Sequence, residues 1–176
     1  MELAQLHLLS RSRSEAEAAF KKAAERDDEA PSVLLLQGKL AMLNGSIPYA
    51  EKLFRAAIEA APSEEDATVQ LGNLLLTQRR LEEAEDLFRR SLELRPQGSA
   101  LYLGLGHSRA LAGKMEEAIL LFEKALELSP DSTLVLNSLG FAYVEAGQTS
   151  RGQALLKRSL QIQPEQLELR SILGER

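Results

Sequence analysis

The sequence contains no cysteine and no tryptophan among its 176 residues, and only 5% of its residues are aromatic. Without cysteine the chain forms no disulfide, no thiolate nucleophile and no cysteine metal site. This composition fits both the cytoplasm and the periplasm, and the cytoplasm is favoured for this fragment. The scarcity of aromatic side chains argues against a surface that stacks nucleic-acid bases.

Basic residues are in the minority, with 21 Lys and Arg against 26 Asp and Glu, so the formal net charge is −5. Neutralising phosphates requires a footprint of Lys and Arg, which this chain lacks. No apolar run approaches the roughly 18 residues of a membrane helix. The N-terminus also lacks the basic region and cleavage site of a signal peptide. We therefore predict no nucleic-acid partner and no membrane insertion.

Small and aromatic residues recur with a period of 34 residues through most of the chain. One glycine position is occupied by Gly38, Gly72, Gly106 and Gly140. One proline position is occupied by Pro62, Pro96, Pro130 and Pro164. Between them lie an alanine position (Ala50, Ala84, Ala118) and a phenylalanine position (Phe54, Phe88, Phe122). No insertion disturbs this spacing.

This period and these markers resemble the tetratricopeptide repeat, a helix–turn–helix unit of 34 residues with Leu-Gly, Ala, Phe and Pro markers. The resemblance implies an all-α fold, a right-handed superhelical solenoid of antiparallel helix pairs with about eleven helices. The expected units are a partial repeat in 1–30, complete repeats in 31–64, 65–98, 99–132 and 133–166, and a truncated start of a further repeat in 167–176. Because both ends fall inside a repeat, we expect a fragment of a longer array.

The turn within a repeat and the markers of the last complete repeat each show one departure from the pattern. In the regular case, Gly45 follows the first helix of its repeat and is suited to the left-handed conformation that ends a helix. The corresponding turn of the next repeat, Gln78–Arg80, contains no glycine. The repeat in 133–166 has Gly152, Leu156 and Ser159 where Ala, Phe and Ala are expected. We therefore expect its second helix to pack less regularly.

A search for catalytic chemistry finds no candidate. The two histidines, His7 and His107, lie one hundred residues apart and share no carboxylate or thiol at metal-ligand spacing. Paired carboxylates such as Glu64-Glu65, Glu82-Glu83 and Glu116-Glu117 could suggest acid–base chemistry. Each pair begins a predicted helix, where acidic residues favour the positive end of the helix dipole. Gly104 and Gly106 lie inside a predicted helix, so they form no phosphate loop. We predict no enzyme, no metal and no cofactor.

The resemblance also indicates a binding surface, because in this family the first helix of each repeat lines a concave groove. The positions assigned to a partner-binding groove are Leu35, Lys39, Met42, Val69, Asn73, Leu76, Leu103, His107, Leu134, Asn137, Phe141 and Val144. A polar column that changes from repeat to repeat runs between two mostly apolar columns, which suits an extended segment or an amphipathic helix. The alternative interpretation is that the apolar members only pack against the neighbouring repeat.

Phe141 is the most informative of these positions. Its column otherwise holds Gln5, Lys39, Asn73 and His107, all of them polar. Since a core position would be apolar in every repeat, we predict that Phe141 is exposed and anchors a partner. Some relatives grip a C-terminal carboxylate with basic and amide groups, but here Lys39 is the only cation at the matching positions. The asparagine ladder of other relatives is absent too.

Three functions remain open on the sequence alone. The first is a non-enzymatic protein–protein interaction scaffold that binds a partner peptide or helix in the concave groove. The second is a structural or assembly module that self-associates through its terminal repeats, because Leu167, Leu169, Ile172 and Leu173 are too many for one helix face to hide. The third is an RNA-binding array resembling pentatricopeptide repeats. Their period is usually one residue longer and their surfaces are basic, which argues against this third function.

Overall fold

The computed structural model describes residues 30–173, and all regular secondary structure in this range is α-helical. The nine helices of this range are α1 (Pro31–Leu43), α2 (Ile47–Ala60), α3 (Glu65–Thr77), α4 (Leu81–Leu94), α5 (Ser99–Leu111), α6 (Met115–Leu128), α7 (Thr133–Glu145), α8 (Thr149–Ile162) and α9 (Leu167–Leu173). The all-α prediction is confirmed for this range. The expectation of about eleven helices included two in residues 1–29, which lie outside the described residues.

The helices repeat with the period of the sequence. The first helix of each complete repeat, α1, α3, α5 and α7, has 13 residues. The second helix, α2, α4, α6 and α8, has 14 residues. Because the helices have equal lengths and the turns are short, residues 34 positions apart occupy equivalent places in their repeats.

The chain folds as two compact units, Met1–Leu74 and Leu75–Arg176, and the division falls inside α3. In the described part of the first unit, α1 packs against α2. In the second unit each helix from α4 to α9 packs against the next one along the chain, and α5 also packs against α7. The core of the second unit includes Leu103, Phe122 and Val135, contributed by α5, α6 and α7.

Within the second unit, α5 and α6 form an antiparallel hairpin. The hydroxyl of Ser99, at the start of α5, donates to the carbonyl oxygen of Ala125, near the end of α6, at 2.9 Å. Seven residues further along α5, Gly106 faces the ring of Phe122. The chain directions of the two helices are therefore opposed.

The phenylalanine of the same repeat leaves room only for glycine at the recurring glycine position. A Cβ atom on Gly106 would stand only 2.6 Å from Cδ1 of Phe122, and a Cβ atom on Gly38 would stand 2.6 Å from Cδ1 of Phe54. Real Cβ atoms do not approach carbon so closely, so a larger residue must displace the ring. The buried ring thus occupies the space that the missing side chain leaves.

The repeat in 133–166 solves the same packing problem with smaller residues. Leu156 replaces the phenylalanine and is buried against Gly140, whose Cβ would lie 2.7 Å from the leucine Cδ2. Gly152 replaces the alanine, and a Cβ there would stand 2.5 Å from the carbonyl oxygen of Gly140. Backbone therefore meets backbone between α7 and α8. The second helix nevertheless keeps its 14 residues and a buried core face.

Three of the turns within helix pairs are closed by a glycine in the left-handed region. Gly45, Gly113 and Gly147 have φ values of 72°, 76° and 80°. In the turn after α5, the N–H of Gly113 donates to the carbonyl of Ala110 and the N–H of Lys114 to that of Arg109, both at 2.9 Å. These two bonds satisfy carbonyl groups that the end of a helix leaves free.

Arg79 occupies the same position in the turn after α3, with a φ of 60°. The backbone bonds are the same: Arg79 donates to Leu76 at 3.0 Å and Arg80 to Leu75 at 2.9 Å. A residue with a Cβ atom has a steric penalty in this conformation, of about 1–2 kcal/mol. The turn is thus imposed by the repeat and not by the residue that occupies it.

We predict that Gly106→Leu lowers the free energy of unfolding, because a branched side chain must enter the space of the Phe122 ring. Overpacking of this kind costs about 1–3 kcal/mol. The matched control is Ala112→Leu, at an exposed position just after the same helix. Chemical denaturation measures both, and equal midpoints for the two variants would contradict the tight contact.

We also predict that Arg79→Gly raises the free energy of unfolding by up to about 1 kcal/mol. Relief of the left-handed strain is partly offset by the greater entropy that glycine has in the unfolded chain. The reciprocal change Gly113→Arg should lower stability by a similar amount, since Gly113 has the same backbone conformation. Melting temperatures of the two variants test this, and shifts in one common direction would refute it.

Candidate functional site

The predicted groove positions lie on the first helices of the repeats. On α7, Leu134, Asn137, Phe141 and Val144 are spaced three, four and three residues apart, so they follow one face of the helix. Three of them are exposed apolar side chains: Leu134 (63%), Phe141 (43%) and Val144 (38%). This stripe, which we call the α7 stripe, presents apolar surface to solvent over about three turns.

In the first unit the predicted positions have a mixed environment. Leu35, Lys39 and Met42 lie one and two turns apart on α1, and all three are half-buried. On α3, Val69 is half-buried and Asn73 is exposed. Each of these side chains keeps some surface that a partner could contact.

Two of the predicted positions need correction. Leu76 and Leu103 are only 7% and 5% exposed, so they offer almost no surface to a partner. Leu103 belongs to the core that Phe122 and Val135 help to form. For Leu103 the alternative interpretation was therefore the correct one, and we omit both leucines from the candidate surface.

His107 connects three helices of the second unit. Its ring on α5 meets the Phe122 ring of α6 edge to face, with 5.0 Å between centroids and 62° between planes. Its Nε2 lies 3.2 Å from the Ser138 hydroxyl of α7. Burial lowers the pKa of the imidazole below its usual value, because removal from water disfavours the charged form. The site therefore favours the uncharged form of the imidazole over the charged one.

Asn137 is part of a polar network that the sequence did not reveal. Its Nδ2 donates to Oε1 of Gln166 at 2.6 Å. The Gln166 amide donates in turn to Oγ of Ser159 at 3.0 Å. The Asn137 Oδ1 atom is buried and has no hydrogen-bond partner among the described protein atoms. The network joins α7 and α8 to the segment that leads into α9.

The carboxylate pairs have the positions expected of helix starts. Glu82 and Glu83 lie in the first turn of α4, and Glu116 and Glu117 in the first turn of α6. Glu83 also forms an ion pair with Arg80 at 2.6 Å. Between residues 30 and 173 no group of three or more His, Cys, Asp or Glu side chains is arranged to hold a metal ion. In the same range no helix is long and apolar enough to span a membrane.

We predict that acidification destabilises the chain partly through His107. Its pKa is lowered in the folded state, so below the unfolded value of about 6.5 the unfolded chain binds more protons and stability is lost as pH falls. His107→Gln should show a smaller loss of melting temperature between neutral and mildly acidic pH. His7 and all carboxylates are retained in both proteins, so parallel pH profiles would exclude the effect.

Comparison with known proteins gives the family. Models described as tetratricopeptide repeat match residues 1–65, 69–133 and 109–175. Such repeats generally mediate protein–protein interactions. No curated protein sequence is similar enough to count as a relative.

Three solved structures illustrate the likeness of fold. A thermophilic TPR protein of Thermus thermophilus is 21% identical, with a TM-score of 0.82 over 97% of this chain and 93% of that one. MamA is 22% identical, with a TM-score of 0.64 over 90% of this chain and 94% of that one. YrrB, described as a TPR protein with an unusual peptide-binding site, is 21% identical, with a TM-score of 0.62 over 98% and 87%. With family models matching nearly its whole length, the chain belongs to the tetratricopeptide-repeat family.

Proposed function

We propose that this chain is a non-enzymatic scaffold that binds a peptide or helix of a protein partner along the first helices of its repeats, in a concave groove. The exposure of Phe141 is the observation that carries the proposal. It is a large aromatic side chain, 43% exposed, with exposed apolar neighbours on the same helix face. The general role of the family in protein interaction supports the same function.

The α7 stripe has the physical character of a binding surface. Exposed aliphatic and aromatic side chains gain free energy when a partner removes them from water, about 25 cal/mol for each Å² of apolar area. Rings with two rotatable bonds lose little entropy on binding, and for this reason aromatic residues are frequent among energetic anchors of interfaces. An exposed apolar stripe on one helix face suits the apolar side chains of a partner helix or extended segment.

A second candidate is self-association through the last described helix. On α9, Leu167 is 73% exposed and Ile172 is 64% exposed. Leu169, however, is buried and Leu173 is half-buried, so the apolar surface is narrower than the sequence suggested. Sedimentation of the chain over a range of concentrations separates this candidate from the scaffold proposal.

We predict that Phe141→Ala weakens partner capture by about 1–3 kcal/mol, the scale of a modest hot spot. Its melting temperature should hardly change, because the ring is substantially exposed, whereas truncation of a core phenylalanine costs about 3–5 kcal/mol of stability. The measurements are thermal unfolding and affinity capture from a lysate of the encoding organism, with the chain as bait.

The matched control for this prediction is Leu120→Ala. Leu120 is 66% exposed and lies on α6, a second helix. Proteins captured by the wild-type and Leu120→Ala baits but lost from the Phe141→Ala bait support the proposal. A large drop in the melting temperature of Phe141→Ala with unchanged capture would make Phe141 structural and contradict the site.

A further inference from the structure

A surface cleft of about 510 Å³ lies between α7 and the segment that contains α9. Its apolar wall is formed by Phe141 from α7 and by Leu167 and Ile172 from α9. All three side chains are substantially exposed, at 43%, 73% and 64%. Leu169, which also borders the cleft, is buried. The cleft thus has a firm apolar base and an accessible apolar entrance.

Two residues of the cleft differ in chemistry from their equivalents one repeat earlier. His107 and Ser138 lie 34 residues before Phe141 and Ile172, and they meet through a hydrogen bond of 3.2 Å that helps to join α5 and α7. Phe141 and Ile172 have no such polar link. Within the described residues α9 packs on α8 and not on α7. The hydrogen bond that links α5 to α7 therefore has no counterpart between α7 and α9, where apolar side chains line an open cleft.

The hydrogen-bond network of Asn137, Gln166 and Ser159 fixes the two sides of the cleft relative to each other. Asn137 and Gln166 both line the cleft and are bonded to each other at 2.6 Å. Gln166 is also anchored to the Ser159 backbone carbonyl and hydroxyl, at 3.2 and 3.0 Å. Because these bonds tie the start of α9 to α7 and α8, the cleft is preformed, which lowers the entropic cost of binding.

The charge around the cleft has one sign. Glu165 and Glu168 line it and are exposed, whereas no Lys or Arg side chain is among its lining residues. Neither carboxylate forms an ion pair within residues 30–173. Glu168 also lies in the first turn of α9, where the helix dipole favours it. A basic group of a partner placed at this rim would meet two carboxylates that have no ion pair with a residue of the described range.

We propose that this cleft receives one large apolar side chain of a partner segment that carries Lys or Arg beside it. The inference rests on the proposed function and specifies the chemistry of the partner. Phe141, Leu167 and Ile172 contact the apolar side chain, and Glu165 and Glu168 attract the flanking cation. Electrostatic complementarity of this kind fixes register and speeds association.

A second copy of the chain fits this cleft less well. In a symmetric dimer the same patch is used by both copies, so two acidic rims with four carboxylates would enter one interface. Like charges brought together at an interface are unfavourable, and the chain already has a net charge of −5. A basic segment meets no such repulsion.

An equivalent cleft in the first unit has the same sign of charge. It has a volume of about 410 Å³ and is bordered by Leu35, Glu64 and Asp66. These residues correspond, three repeats earlier, to Asn137, Gln166 and Glu168. The positions equivalent to Phe141 and Ile172 are Lys39 and Gln70, which are polar. The apolar entrance is therefore a property of the cleft beside α9 and not of the repeat in general.

The test uses the full chain and three synthetic peptides in a common Gly-Ser background. The first has a central Phe flanked by Lys, the second has a central Ala flanked by Lys, and the third has a central Phe flanked by Glu. Binding is followed by NMR, through the methyl group of Ile172 and the ring of Phe141. We expect the first peptide to bind about tenfold more tightly than either of the others, a difference of about 1.4 kcal/mol.

Variants of the cleft provide the second arm. Ile172→Ser should weaken the first peptide about tenfold, while Leu120→Ser, at an equally exposed site on α6, should leave it unchanged. The double variant Glu165→Lys with Glu168→Lys should reverse the preference between Lys and Glu flanks. Glu116→Lys with Glu117→Lys is its control, since these carboxylates lie on α6. Circular dichroism confirms that each variant is folded.

Several outcomes overturn the inference. Equal binding of the Lys-flanked and Glu-flanked peptides, or binding to none of the three, shows that the cleft does not select this chemistry. Sedimentation that shows a dimer dissociated by Ile172→Ser assigns the cleft to a second copy instead. If the Ile172→Ser and double-lysine baits retain a captured partner that Phe141→Ala loses, only this inference fails. If no bait enriches a partner, the proposed function fails as well.

Discussion

The close contact between a glycine of the first helix and a large side chain of the second helix determines how each repeat is built. At Gly106 the ring of Phe122 fills the volume that any side chain would need. At Gly140 the partner is the smaller Leu156, and the second helix compensates with Gly152, which meets the α7 backbone. Leu156 and Gly152 occur together in this repeat, and the smaller side chains accompany a direct contact between the α7 and α8 backbones. Dense packing, and not any single residue type, is the constraint.

In α5 and α7 the recurring glycine lies against the second helix of the repeat, and the leucine before it is buried. Other residues of these helices, such as His107 and Phe141, are half-buried or exposed, so the core restricts their identity less. His107 and Phe141 show the range, since they are equivalent in sequence but one forms a half-buried polar link and the other lines an open cleft. Chemical specificity can therefore differ between repeats that share one fold.

Much of the fold followed from the sequence because its signals act within one repeat, whereas burial and long-range contacts depend on neighbouring helices. A glycine in a left-handed turn or a proline after a helix limits the backbone wherever it occurs. The turn at Arg79 carries no such signal, and only the equivalence of the repeats indicates its conformation. Phe141 stood out because its column is otherwise polar, but Leu103 belongs to an equally plausible column and is covered by the core. The bond from Asn137 to Gln166 gave no signal, since each side chain alone resembles an ordinary surface residue.

Stability and binding can be tested independently in this chain, because the buried core residues and the exposed apolar residues are different side chains. Folding free energy comes mainly from side chains such as Phe122 and Leu156, which are almost fully removed from water. The apolar area on Phe141, Leu167 and Ile172 contributes little to folding, because it stays largely exposed in the native state. That area yields its free energy only when something covers it. A partner that covers it therefore stabilises the folded chain by mass action, and by more at higher partner concentration.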